Sequence, residues 1–293
     1  MKTNRARVIV VLCLGLAAGA CASASERARD ALNRAKVRYD EETFVRRAAE
    51  GDLAVVRHFL LAGMRPDGVN RDGRTALLAA ARTGQLEVAR LLVQHGANLE
   101  ARDTQFGATP LIWASVNGNP RLVGLLLAKG AKIDASAPKS GTSALLAAAS
   151  GGHRDAVSAL LARGAAVNHA DSSGRTALIW AVRGGHRDVA RLLLSRGADP
   201  NVALLDASSR ARPSLVKFLL EQGASPSAAD SSGTTALMRA ARAGNSAIVR
   251  LLLERGADAS VTDREGRTAL AFAKDAGKLD VEELLRVARK GGK

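Results

Sequence analysis

A block of about 33 residues recurs along this chain, and a fixed period of that size restricts the possible architectures more than any single motif does. The block opens with Gly73-Arg74-Thr75-Ala76-Leu77 and returns as Gly107-Ala108-Thr109-Pro110-Leu111, Gly174-Arg175-Thr176-Ala177-Leu178, Gly233-Thr234-Thr235-Ala236-Leu237 and Gly266-Arg267-Thr268-Ala269-Leu270. A variant, Gly141-Thr142-Ser143-Ala144-Leu145, fills the remaining slot. A second marker closes each block at Gly96, Gly130, Gly164, Gly197, Gly223 and Gly256, each followed by alanine. These closing glycines are spaced by 34, 34, 33, 26 and 33 residues, so one unit is short.

Within a unit, Leu77 to Thr83 is alanine-rich and ends at Gly84, which reads as a short helix closed by a glycine. Leu86, Val88, Leu91 and Leu92 carry the apolar spacing of a second helix, ended by Gly96. The stretch to Gly107 is polar and turn-rich, with Asp103 and Gly107 as turn residues. Two helices this short cannot bury their apolar faces alone. Stacking on neighbouring units supplies the core, so the chain is expected to be an all-α solenoid with short β-hairpin-like loops.

Thr109-Pro110-Leu111-Ile112-Trp113-Ala114 resembles the Thr-Pro-Leu-His-x-Ala signature of the ankyrin repeat, and the resemblance extends from Glu42 to Val287. Elsewhere alanine replaces the proline, and Leu78, Ile112, Leu146, Ile179 or Met238 occupies the histidine slot. A tetratricopeptide-type helical repeat fits less well, because it has no place for the Gly-Ala ends and long polar loops. Eight units are counted, from a first unit at Thr43 to Gly63 to a last one running from Thr268 to about Val287. The first lacks a preceding loop, and the last, with Asp280, Glu282 and Glu283 among its leucines, reads as a cap with a solvated outer face. In the sixth unit Leu204 matches Leu77, Leu215 matches Val88, and Phe218 and Leu219 match Leu91 and Leu92. Both helices survive there. The seven missing residues therefore come from the loop, and Asp199-Pro200-Asn201 should run almost directly into the next helix, leaving a notch.

Lys2, Arg5 and Arg7 precede the apolar run Val8 to Leu16, the pattern of an export signal over residues 1–20. It ends at Ala17-Ala18-Gly19-Ala20-Cys21, which resembles the bacterial lipobox and implies lipidation of Cys21. The competing reading is ordinary signal cleavage after Ala20, leaving a soluble periplasmic protein. Cys13 and Cys21 are the only cysteines, and Cys13 leaves with the signal, so the mature chain has no disulfide of its own. Ala22 after the cysteine fits outer-membrane sorting facing the periplasm. Residues 21–41 read as a lipidated tether or loose helix, and 42–293 as the repeat domain.

The chain carries +15 from 43 basic and 28 acidic residues. Such a balance commonly serves nucleic acid, but export argues against that partner. Anionic lipid, lipopolysaccharide or an acidic envelope protein remains, beside a plain compositional bias that places Arg90, Arg191 and Arg250 on solvated helix faces. The histidines His58, His95, His153, His169 and His186 lack metal-ligand spacing, and there is no phosphate loop or nucleophile elbow. No catalytic residue, cofactor or metal is expected, and the chain is read as a monomeric binding scaffold.

The resemblance implies that a protein partner binds the loop tips and the exposed side of the first helices. Two residues after the motif leucine the slot holds Ala79, Trp113, Ala147, Trp180, Asp206, Arg239 and Phe272. Three further on lie Arg82, Val116, Ser150, Arg183, Ser209, Arg242 and Asp275. Candidate contacts are Trp113, Trp180, Asp206, Arg239, Arg82, Arg183 and Arg242, with Phe106 in a loop one residue longer than most. Trp113 and Trp180 have a second reading, simple packing on the neighbouring helix.

Overall fold

The structure, a computed structural model, describes residues 24–291. The export signal and Cys21 lie outside that range. After a helix α1 over 24–34 come eight helix pairs. They are α2 (Glu41–Glu50) with α3 (Leu53–Leu61), α4 (Ala76–Thr83) with α5 (Leu86–Gln94), α6 (Pro110–Val116) with α7 (Pro120–Ala128), and α8 (Ala144–Ser150) with α9 (Arg154–Ala162). Then follow α10 (Ala177–Gly184) with α11 (Arg187–Ser195), α12 (Pro200–Ser209) with α13 (Pro213–Glu221), α14 (Ala236–Ala243) with α15 (Ser246–Glu254), and α16 (Ala269–Asp275) with α17 (Leu279–Gly291).

A repeated threonine decides where four of the first helices begin. Thr75, Thr109, Thr176 and Thr235 have extended backbones, and their hydroxyls accept the N–H of the residue three further on, satisfying a donor the helix leaves open. The glycine decides where it ends: Gly84, at φ 78°, adopts the left-handed conformation that closes α4. The short hairpin-like loops appear as isolated antiparallel bridges, Val69 with Thr75, Ser136 with Ser143, Ala170 with Thr176, Ala229 with Thr235 and Thr262 with Thr268.

Contacts divide the chain into two compact units, residues up to 148 with 162–165, and 149–161 with 166 onward. In the first, α4 packs between α2 and α6, while α5 packs between α3 and α7. Its core includes Phe44, Phe59, Leu77, Leu92, Leu111 and Leu126, all essentially inaccessible. In the second, α12 packs between α10 and α14, α14 packs on α16, and α15 sits between α13 and α17. Leu178, Leu193, Leu204, Leu219, Leu237 and Leu252 line its interior. Each fully buried leucine contributes about 1.5–3 kcal/mol, which is how helices this short hold together.

From residue 24 on, the segment read as a tether or loose helix contains a helix, and that helix docks as a cap. α1 buries Ala28 and Leu32, and Val37 follows them inside. Tyr39 then stacks on Phe59 with ring centroids 5.2 Å apart, and its hydroxyl donates to the Ala62 carbonyl at 3.0 Å. The Arg29 guanidinium lies over the Tyr39 ring at 5.3 Å. The segment's charged composition hid three apolar residues that are enough to cover the open end of the first repeat. At the other end Val281 and Leu285 are buried, while Leu279 is 76% exposed, so the outer face of α17 is less polar than its acidic residues imply.

The sixth unit is short in the expected place. Asp199 caps α12, Pro200 occupies its first turn, and Asn201 already lies within the helix. Ala211 stands where other units have the turn glycine, and it adopts φ 56°.

Candidate interaction surface

Most projecting loops are organised by one carboxylate or amide in the same relative position, whereas the loop before α8 has Ala137 there. Asp171 accepts the backbone N–H groups of Ser173 and Arg175 on Oδ1, at 2.8 and 3.0 Å. Its Oδ2 accepts Arg175 Nε at 2.8 Å and the indole Nε1 of Trp180 at 3.1 Å. Asp103 takes the N–H groups of Gln105, Phe106 and Ala108, and Trp113 Nε1 donates to its Oδ2 at 2.9 Å. Asp230 accepts from Ser232 and Thr234, and Arg239 Nη2 donates to it at 2.6 Å. Asn70 does the same work in the first loop, accepting from Asp72 and Arg74.

Burial pushes the carboxyls of Asp103 and Asp171 up, but the converging N–H donors outweigh it and hold both below the usual carboxylate range. The same contest at Asp230, with the Ser232 hydroxyl and the Arg239 guanidinium as the strongest donors, brings its pKa to about 2.

This arrangement gives the variable slot a role that spacing did not reveal. Trp113, Trp180 and Arg239 occupy it, and each reaches back to tie its helix to the turn aspartate of its own unit. Ala79, Ala147 and Phe272, in the same slot, are buried, so only part of the row faces outward. Asp206, also in the slot, has no turn aspartate to meet because its loop is missing. Arg183 grips it with two nitrogens, Nε donating to Oδ2 at 3.0 Å and Nη2 to Oδ1, and Arg210 Nε adds a third donor at 3.3 Å. Burial raises the Asp206 pKa, and the Arg183 hydrogen bond and charge overcome that and lower it. Arg239, Arg183 and Asp206 are thus engaged within the chain.

Among the sequence-predicted contacts, Phe106, Arg82 and Arg242 are the exposed ones. Phe106, 52% exposed, meets Trp113 edge to face with centroids 5.9 Å apart, and the Arg82 guanidinium lies 5.9 Å from the Trp113 ring. These three form one aromatic and basic patch in the first compact unit. In the second, Arg175 and Arg183 lie 4.4 and 5.7 Å from the Trp180 ring centroid. The Asp-to-slot hydrogen bonds were missed by spacing alone, although an aspartate nine or ten residues before a Trp or Arg was there to read.

Histidine does local work. His95 Nδ1 sits 2.9 Å from the Leu91 carbonyl oxygen, and His186 Nε2 3.1 Å from that of Ser150. Among the described residues no three His, Cys, Asp or Glu side chains gather as a metal site, and no helix is long and apolar enough to cross a membrane.

Within each compact unit, short helix pairs packed on one another and joined by side-chain-braced loops define a helical-repeat interaction scaffold. The family model for ankyrin repeats matches three times, over residues 45–137, 134–203 and 204–291. The chain belongs to the ankyrin-repeat family, whose repeats serve protein–protein interaction. No curated protein matches it.

Proposed function

We propose that this protein is an exported, lipid-anchored scaffold of the bacterial envelope, joined to the outer membrane through Cys21 and binding another envelope protein on the periplasmic side. The observation that carries the binding reading is the patch of Phe106, Trp113 and Arg82. An exposed phenylalanine braced on a tryptophan, with an arginine alongside that has no ion-pair partner among the described residues, offers rigid aromatic area and charge at little entropic cost. The anchor reading rests on the basic start, the apolar run and Ala18-Gly19-Ala20-Cys21. Acyl chains contribute about 0.8 kcal/mol per buried methylene, so several would hold the chain on a bilayer durably.

Affinity capture from envelope membranes with the natural chain and with Phe106→Ala tests the surface. Phe106 is exposed, so its loss spares the fold while removing the anchor; equal capture of the same protein by both chains would sink the patch as the contact. Fatty-acid labelling of the natural chain against Cys21→Ser tests the anchor, and equal labelling of the two ends it. A second reading, a soluble periplasmic or surface module whose basic face binds anionic lipid or lipopolysaccharide, draws on the net charge of +15. It requires vesicle binding that vanishes at about 0.5 M salt, where screening shortens to a few ångströms, and that ignores Phe106→Ala.

A further inference from the structure

We infer that the notch left by the shortened sixth unit is a receptor for an acidic turn projecting from the protein partner, seated where this chain's own loop is missing. The inference rests on the scaffold reading above and gives it a second, chemically distinct contact.

The vacancy is visible from the neighbouring loop. A side-chain carbon placed on Gly73 would meet Thr104 Cγ2, one on Gly107 would meet Pro138 Cδ at 2.8 Å, and one on Gly233 would meet the Asp263 backbone at 3.3 Å. Each tip is covered by the loop that follows. Gly174 has nothing within 4 Å, like Gly266 at the last loop, although three more units follow it in the chain. The loop of unit five is therefore left bare on one side by a deletion inside the array.

A cleft of about 660 Å3 fills the gap, within the size range of ligand sites. Ser173 to Arg175 form one wall, Ala228 to Ser231 the other, and Val202, Leu205 and Asp206 of α12 the floor. Four arginines enter it: Arg175, Arg183, Arg210 and Arg239. Arg183 is committed to Asp206 through the Nε–Nη2 edge of its guanidinium, and Arg239 to Asp230 through Nη2. Arg175 and Arg210 are bound differently. Each donates only Nε to its carboxylate, and neither has an Nη hydrogen bond among the described residues. Arg210 is also 51% exposed along its side chain. Two guanidinium edges, each with a pair of parallel N–H donors, thus remain for carboxylates, the geometry in which arginine binds them bidentately. Arg242, exposed and without an ion-pair partner among the described residues, lines the adjoining hollow with Ser209 and Arg239.

A turn suits this site better than a flat surface. The walls are loops, the floor is partly apolar, and the space is what a hairpin tip occupied in the other units. Carboxylates at that tip supply acceptors for the Nη groups of Arg175 and Arg210, while the backbone rests on Val202 and Leu205.

Trp180, close to Arg175 and Arg183, reports on the cleft. In a Trp113→Phe background it is the sole tryptophan. The probe is a disulfide-closed hairpin peptide with Glu-Asp-Gly-Glu at its turn, compared with a Gln-Asn-Gly-Gln counterpart. The acidic hairpin is expected to shift Trp180 emission and to bind about tenfold or more tightly than the neutral one, in line with charge-assisted over neutral hydrogen bonds. A second chain carries residues 228–234 duplicated between Asn201 and Val202, which restores the loop; with an unchanged thermal melt it should lose the binding. No binding to the natural chain, equal binding of the two hairpins, or undiminished binding to the loop-restored chain would overturn the proposal. Anionic phosphatidylglycerol vesicles that move the emission as far as the acidic hairpin would assign the cleft to lipid and overturn it too. Membrane capture through Phe106 is a separate measurement, so a failed titration with capture intact removes the notch and leaves the scaffold standing.

Discussion

Trp180 donates its indole N–H to Asp171 at 3.1 Å, and that same carboxylate holds the loop from Ser173 to Arg175 in shape. A residue on the exposed row of a helix and a residue at the base of a loop are thereby one structural unit. The tryptophan and the loop share one acceptor, Asp171.

The carboxylate, rather than the indole, is the hub. Asp171 is almost wholly buried and accepts four hydrogen bonds, two from backbone, one from Arg175 and one from Trp180. Asp171→Ala strands those donors and is expected to cost about 2–3 kcal/mol, as an unsatisfied buried network does. Trp180→Phe keeps most of the ring and removes a single donor, so its cost should be about 1 kcal/mol. Urea unfolding of both variants decides the matter. Equal losses would mean that ring packing, not the carboxylate, holds the loop.

Acid should loosen the array through these same aspartates. Asp230 has a folded pKa of about 2 against an ordinary 3.8, and Asp103, Asp171 and Asp206 are shifted in the same direction. A carboxyl depressed by folding contributes stability that is fully present above its unfolded pKa and is lost as pH falls through the folded one. Stability is therefore expected to be flat above about pH 5 and to decline from about pH 4 toward 2. For Asp230, partly exposed and screened by solvent, the share is about 1 kcal/mol. Urea midpoints measured at pH 6, 4 and 2.5 check this, and Asp230→Asn should make the decline shallower. A variant as steep as the natural chain would remove Asp230 from the account.

The repeat made most of the fold legible, because its constant positions are set by local chemistry. Thr75 caps, Gly84 closes, and Leu77 and Leu92 fill the core, and the internal units repeat the pattern at Thr109, Thr176 and Thr235 and at Leu111, Leu178 and Leu237. The lost loop was legible by counting between Gly197 and Gly223. What spacing could not show was where side chains reach across a turn. The row holding Trp113, Trp180 and Arg239 varies in the way a binding surface varies, yet its members also serve Asp103, Asp171 and Asp230. Docking of α1 was hidden for another reason: Ala28, Leu32 and Val37 are sparse among charges, and what they and Tyr39 cover, the ring of Phe59 and the carbonyl of Ala62, belongs to the first repeat and carries no signal in the segment itself.

Ala211 is the clearest local conflict between sequence and backbone. Counting from the motif leucine, it occupies the position that Gly84, Gly185 and Gly244 hold in other units, where φ is 78°, 75° and 73°. Its own φ is 56°, a region that brings the Cβ of an L-residue against the following carbonyl at a cost of roughly 1–2 kcal/mol. Glycine carries no such penalty there but loses more backbone entropy on folding, about 0.5–1 kcal/mol relative to alanine. The strain exceeds the entropy. Ala211→Gly is thus expected to stabilise the second compact unit by about 0.5–1 kcal/mol, whereas Ala211→Val should destabilise it, because a β-branched side chain worsens the clash. Paired urea melts of the three chains make the comparison. A destabilised glycine variant would mean that the turn between α12 and α13 relaxes away from positive φ in solution, and that the floor of the notch is set by other contacts.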